Sequence, residues 1–210
     1  HLSETSGNAV NAARRGGDGV PSSVTQNAAG VIGGAASFNG TSAYYNCGPT
    51  NSLDGLRTWE AWVKPTNFSY YRIVIGKGYT SGYWFGLVQN SGTIRLHCVG
   101  NASQDSATAA PLNQWTHIAA TYDNAAMRFY LGGRLDVARA SSGALQTNLN
   151  QSARIGADYN NGSNGDLSMF FAGKMDEIRV SSVVRSSDWV WAVYQNMASN
   201  AVFQSYGTVV

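Results

Sequence analysis

Carboxylates are scarce in this chain, with 12 Asp and Glu among 210 residues. Two of them nevertheless stand side by side, Asp176 and Glu177, in the stretch FAGKMDEIRVSSVVRSSDW. Paired carboxylates hydrolyse glycosides when both face one cleft, about 5 Å apart for retention or about 6.5–9.5 Å for inversion. The stretch reads as a strand, and neighbouring side chains on a strand point to opposite faces. The pair is therefore not expected to line a common groove. Glu60, in RTWEAWVKP, stands alone. Asp176 is open to two other uses, as a turn carboxylate accepting backbone N–H groups or as a metal ligand, while Glu177 suits a surface pair with Arg179 or Arg185. No Gly-x-Ser-x-Gly elbow occurs, neither cysteine has catalytic surroundings, and the glycines of GKGYTSGYW belong to a hairpin rather than a phosphate loop.

A second set of residues suits binding. Neutral sugars have apolar C–H faces and a hydroxyl rim, so a site for them sets an aromatic ring beside Asn, Asp, Arg or His. Tyr70 and Tyr71 follow TNFS, Tyr79 and Tyr83 flank TSG, and ADYNNGSNGD offers Tyr159, Asn160, Asn161 and Asn164. All are expected in or beside loops, where binding groups collect on a rigid scaffold. In TIRLHCV the alternation puts Ile94, Leu96 and Cys98 on a core face. Arg95 and His97 are left on the other face, with Trp84 from the neighbouring strand. The rival use of His97 is as an ordinary strand residue, and Trp59, Trp115, Tyr122 and Phe129 suit the core, as do Trp189 and Trp191 under a helix.

The elements that must position these groups are mostly strands. ASFNGTSAYYNCG reads as two extended pieces around an Asn-Gly turn, and RTWEAWVKP alternates Trp59, Ala61 and Val63 with Glu60, Trp62 and Lys64 before Pro65 ends it. RIVIGKG, YWFGLVQ and TIRLHCVG form a meander, and the Gly-Gly of AMRFYLGGRLDVARA suits a type I′ turn. About a dozen such strands, with turns every ~8–12 residues, predict a sandwich or barrel. RSSDWVWAVYQNMAS alone reads as a helix, with Ser187 as its cap and Trp189, Val193 and Met197 on one face. A single domain over 1–210 is expected, with helix and tail near 186–210.

Hydrophobic residues at 43%, with 24 glycines, predict an ordered, turn-rich chain. A net charge of +2 with scattered arginines leaves no footprint for nucleic acid or an anionic membrane, and no run approaches the ~20 apolar residues of a span. Neutral partners fit better. The opening HLSETSGNAV has no initiator methionine and no apolar leader, as expected for a module of a larger parent protein. Cys47 and Cys98 allow one disulfide if their strands are neighbours, and no Cys/His cluster has zinc spacing.

The order of GGAASFNGTSAYYNCG, RTWEAWVKP, IGKG, NQWTHIAATYDNAAMRFYLGG, ARIGA and FAGKMDEIRVSSVVRS resembles the laminin-G-like, concanavalin A-like (pentraxin-related) jelly-roll domains of secreted bacterial proteins. The resemblance runs from about residue 1 to 198. It implies an all-β fold, a two-sheet antiparallel jelly-roll sandwich with one short C-terminal helix. It also implies a secreted or cell-surface location and a lectin-like, non-catalytic module that tethers a larger protein to polysaccharide or oligosaccharide. A structural or protein-adhesive module is the alternative, since this fold serves both. The resemblance further implies a structural Ca²⁺ at the corner of Asn39, Gly40 and Asp176, by analogy with relatives; Asn39 stands where a charged Asp is frequent, which weakens the site.

Overall fold

The computed structural model describes residues 19–49, 55–79, 82–98, 100, 103–145, 151–159 and 167–199. Along the chain run β1 (Val20–Ser22), β2 (Thr25–Ala29), β3 (Gly34–Asn39), β4 (Tyr44–Pro49), β5 (Thr58–Pro65), β6 (Arg72–Gly76), β7 (Tyr83–Leu87) and β8 (Thr93–Cys98). Then come β9 (Gln104–Ala109), β10 (Thr116–Tyr122), β11 (Ala126–Leu131), β12 (Arg134–Ala140), β13 (Ser152–Ile155), β14 (Asp158–Tyr159), β15 (Leu167–Ser168), β16 (Ala172–Ser181) and the helix α1 (Ser187–Ala198). A first sheet has the order β1-β4-β13-β6-β7-β8-β9, a second β12-β11-β10-β5-β16-β3-β2, and β14 pairs with β15. Every pairing is antiparallel. This is the expected sandwich with one short helix.

Period-two alternation builds the core. Across the first sheet Tyr45, Ile155, Ile75, Phe85 and Leu96 are register partners in turn, and across the second Phe129, Ala120, Trp59 and Val180 are. These side chains meet between the sheets, and Trp59 of one lies 5.5 Å from Tyr83 of the other, ring to ring. Truncating such a buried tryptophan to alanine costs about 3–5 kcal/mol. Trp59, Tyr122 and Phe129 are in the core as expected; Trp115, Trp189 and Trp191 are only half-buried. Arg185 lies over the Trp189 ring and Arg134 over that of Trp191.

The turns follow their residues. Gly132 and Gly133 both take positive φ, 56° and 75°, as a type I′ hairpin requires. Gly133 also leaves room for the helix, since a Cβ there would lie 2.6 Å from the Tyr194 Cβ. The Asn39-Gly40 turn joins β3 of the second sheet to β4 of the first, so it crosses between layers rather than closing a hairpin. The helix starts one residue earlier than expected. Ser186 is its cap and accepts from the Trp189 N–H at 3.2 Å, while Val190 and Met197 face inward.

Cys47 and Cys98 are buried and not joined. Their strands, β4 and β8, are separated by β13, β6 and β7. That is roughly 19 Å at ~4.8 Å per strand, far beyond disulfide reach. Burial pushes the Cys98 thiol up to about 12.

Candidate functional site

The site grows from the outer face of the first sheet. Across it Asn46, Arg154, Gly76, Trp84 and His97 are register partners in turn. Beside them Gly86 has Ile73 and Arg95 as partners, and Arg95 in turn faces Asp105 on β9. Because each of these residues alternates with a core residue, their side chains share the face away from the sandwich interior. Ile73, Trp84 and Met169 there form an apolar cluster separate from the main core, with Tyr70, Tyr71 and Tyr79 packed against it.

The rings are arranged around Trp84. Tyr71 meets it edge-on at 5.6 Å and 70°, and Tyr70 meets Tyr71 at 5.9 Å and 81°. On the other side His97 stacks on Trp84 at 5.8 Å and 23°, and Tyr79 stacks on His97 at 4.9 Å and 9°. His97 is fixed at both nitrogens. Its Nε2 lies 2.9 Å from the Tyr79 carbonyl, which can only accept, and its Nδ1 lies 2.6 Å from the Ser103 hydroxyl. In the neutral ring that pattern puts the proton on Nε2, which donates to the carbonyl, and leaves Nδ1 to accept from the hydroxyl. Burial lowers the His97 pKa, against a smaller upward pull from the Tyr79 carbonyl, and the Arg95 charge lowers it further.

Arg95 and Asp105 complete the rim. Nε and Nη2 of Arg95 donate to the two carboxylate oxygens at 2.6 and 2.7 Å, a bidentate pair that raises the Arg95 pKa. The guanidinium also lies 5.8 Å from the Tyr71 ring centroid. Tyr70, Tyr71, Tyr79, His97 and Arg95 are half-buried, each with surface left for a ligand.

Other expected contacts lie elsewhere. Trp84 is only 1% exposed, so it is the floor that supports Tyr71 and His97 rather than a surface a sugar reaches. Tyr83 belongs to the core, as the pleat demands of the residue next to Trp84. Tyr159 is buried beneath the Arg154 guanidinium, 4.0 Å from its ring, and its hydroxyl accepts from Arg154 Nη2. Asn160, Asn161 and Asn164 fall outside the described residues. Asp105 and Ser103 were missed in the sequence. Asp105 had a signal, since QDSATA alternates opposite TIRLHC; Ser103 and Met169 had none.

The corner expected to hold Ca²⁺ is not assembled. Asn39 pairs with Ala172, four residues before Asp176 on β16, a separation of roughly 13 Å at ~3.3 Å per residue. Asn39 Oδ1 accepts from the N–H groups of Thr41, Ser42 and Ala43, so it organises its own turn. Beside Gly40 lies a cation already, Arg72, whose Nη1 would be 3.8 Å from a Cβ on that glycine. Asp176 accepts from Val31 and Ile32 N–H with Oδ2, at 2.8 and 3.1 Å, and from Glu177 N–H with Oδ1 at 2.8 Å. These residues do not fit a hard divalent ion, and among the described residues no cluster of three His, Cys, Asp or Glu could hold a metal.

The strict alternation expected at Asp176-Glu177 also fails. The ladder shifts between Asp176 and Arg179, and Glu177 takes φ 50°, the backbone of a bulge. Asp176 pairs with Trp62 and Arg179 with Glu60, all on the outer face of the second sheet. Glu177 accepts from Arg179 and so turns to that same side. Arg179 also approaches Glu60 at 3.9 Å, and Glu60 lies 3.5 Å from His117 Nε2. Tyr194 of α1 stacks on Trp62 and flanks His117. The carboxylates share a face after all, but backbone N–H groups hold Asp176, and Arg179 holds Glu177.

A family model described as the concanavalin A-like lectin/glucanases superfamily matches residues 39–191. No curated protein sequence matches the chain. Among solved structures, domain 4 of AbnA, a GH43 extracellular arabinanase from Geobacillus stearothermophilus in complex with arabinotriose, superposes with a TM-score of 0.69 at 21% identity, covering 88% of this chain and 91% of that one. The CBM40 of the Ruminococcus gnavus IT-sialidase, bound to α2,3 sialyllactose, superposes with a TM-score of 0.53 at 17% identity, covering 66% of this chain and 82% of that one. At these identities the likeness is one of fold. The chain belongs to the concanavalin A-like lectin/glucanases superfamily.

Proposed function

We propose that the chain is a non-catalytic carbohydrate-binding module that holds a larger secreted or cell-surface protein on a polysaccharide. The observation that carries this is the half-exposed set Tyr70, Tyr71, Tyr79 and His97, braced on buried Trp84 and bordered by the Arg95–Asp105 pair. Rings braced in this way offer flat apolar faces at little conformational cost, and the rim supplies donors and acceptors for hydroxyls. Proteins of this fold solved with arabinotriose and with α2,3 sialyllactose support a glycan ligand. The engagement of Asp176 and Glu177 supports gripping rather than cleavage.

Affinity electrophoresis of the protein through gels containing arabinan, xylan, mixed-linkage glucan or mannan tests this. At least one polysaccharide retards the protein, Tyr71→Ala removes the retardation, and no reducing sugar is released. Free migration in every gel, or retardation untouched by both Tyr71→Ala and Tyr79→Ala, overturns it.

A further inference from the structure

The outer face of the first sheet carries a second pair of rings that the site above does not use. Tyr44 on β4 and Phe170, which follows β15, lie with centroids 6.4 Å apart and planes inclined by 49°. Both are half-buried. Tyr45 points into the core, so Tyr44 points outward. Phe170 sits between Met169, packed on Trp84 and Ile73, and Phe171, which enters the core.

The two platforms are held at a set spacing. Strands β4, β13, β6, β7 and β8 are consecutive in the sheet. Tyr44 and Trp84, the floor of the first platform, are therefore three steps apart, roughly 14 Å at ~4.8 Å per step, more than the width of one sugar ring. Arg72, 4% exposed, ties both ends together. Its Nη1 donates to the Phe170 carbonyl at 2.7 Å, its Nε to the Asn67 carbonyl at 3.2 Å, and its Nη2 to Ser69 Oγ at 2.8 Å and to Asn67 Oδ1. Asn67 and Ser69 open the loop that carries Tyr70 and Tyr71. A buried guanidinium thus sets where the second platform stands relative to the first.

The arginines at this face are already engaged. Arg95 is charge-paired with Asp105, while Arg154 and, beneath the loop, Arg72 are buried and donate to neutral oxygens, Arg154 to the Ser152 carbonyl and the Tyr159 hydroxyl and Arg72 as above. A polyanion meets arginines that already have acceptors, whereas a neutral chain meets apolar rings at both ends of one strip. We propose that Tyr44 and Phe170 form a second stacking subsite, and that the module takes an extended internal stretch of a neutral polysaccharide rather than a terminal sugar. This rests on the glycan-binding reading above.

Calorimetric titration with arabino-, xylo-, cello- and manno-oligosaccharides, from disaccharide to hexasaccharide, tests the proposal. For the series that binds, affinity rises steadily with chain length. Tyr44→Ala lowers hexasaccharide affinity about 3- to 10-fold, the worth of one aromatic contact, and leaves the disaccharide unchanged. Tyr44→Phe keeps the ring and the affinity, and Phe170→Leu gives the same loss as Tyr44→Ala should that variant fold poorly. Polygalacturonate is not bound. Affinity that does not change with length, hexasaccharide binding unchanged in both Tyr44→Ala and Phe170→Leu, or preference for polygalacturonate overturns the proposal. If Tyr71→Ala abolishes binding while Tyr44→Ala and Phe170→Leu are silent, only the second subsite falls; if the wild-type protein binds no series, both readings fall.

Discussion

The imidazole of His97 lies flat against the ring of Tyr79, 4.9 Å away and 9° from parallel, while its Nε2–H reaches the backbone carbonyl of the same tyrosine at 2.9 Å. One histidine therefore holds the loop tyrosine by both its ring and its main chain. This ties ligand contact to a group whose pKa burial lowers.

The sign of that dependence follows from the lowered His97 pKa. Between the lowered folded value and the ordinary value of about 6.5, the unfolded chain binds more protons than the folded one, so stability rises with pH there. The contribution is complete above about pH 6.5 and is lost as pH falls below it. Thermal midpoints measured between pH 4.5 and 8 decline on the acidic side, and His97→Phe flattens that decline. An NMR titration of His97 with its midpoint at or above the ordinary value would contradict this.

Asp158 behaves in the opposite sense. It is fully buried, and although Gly78 and Tyr159 N–H groups donate to Oδ1, Oδ2 faces the Gly76 backbone with no hydrogen-bond partner among the described residues. Burial raises its pKa to about 7, against the pull of those N–H groups and of Arg154. The folded state then binds more protons above about pH 4, so stability is full below that and is lost as pH rises through about 7. Asp158→Asn keeps Oδ1 and removes the charge. At pH 8 it melts above wild type by at least about 2–4 °C, the shift for 1 kcal/mol in a chain of this size, and at pH 4 the gain disappears. Equal melting at pH 8 would contradict this.

Arg179 links two carboxylates on the outer face of the second sheet. Its side chain is 42% exposed, but those of Glu60 and Glu177 are only 2% and 4% exposed. Replacing it by methionine leaves Glu177 without its cation and Glu60 with His117 as its remaining partner. A loss of about 2–4 kcal/mol in urea unfolding is expected, less than for a fully buried pair because water reaches the guanidinium. A loss under 1 kcal/mol would show that the acids are relieved in another way.

Backbone N–H groups donate to Asn39 Oδ1 and to both Asp176 oxygens, so the fold is expected to be stable at the Asn39, Gly40 and Asp176 corner without calcium. Adding EDTA leaves the thermal midpoint unchanged, and Asp176→Asn destabilises equally with and without Ca²⁺. A rise in midpoint on adding Ca²⁺, lost in Asp176→Asn, would contradict this.

Much of the molecule was determined by the sequence alone. Alternation in RTWEAWVKP and TIRLHCV assigned Trp59, Ala61, Val63, Ile94, Leu96 and Cys98 to the core and left Arg95 and His97 outside, because the strand period is local and leaves its mark residue by residue. The Gly132-Gly133 turn and the helix after Ser186 were legible for the same reason. Tertiary structure decided what depends on register and layer. It placed Cys47 and Cys98 on strands too far apart to bond, sank Trp84 beneath Tyr71 and His97, and sent the Asn39-Gly40 turn across the layers away from Asp176. It also turned Glu177 to the side of its neighbour through a bulge, which no pattern in KMDEIRV announces, because a bulge belongs to the pairing of two strands and not to either one.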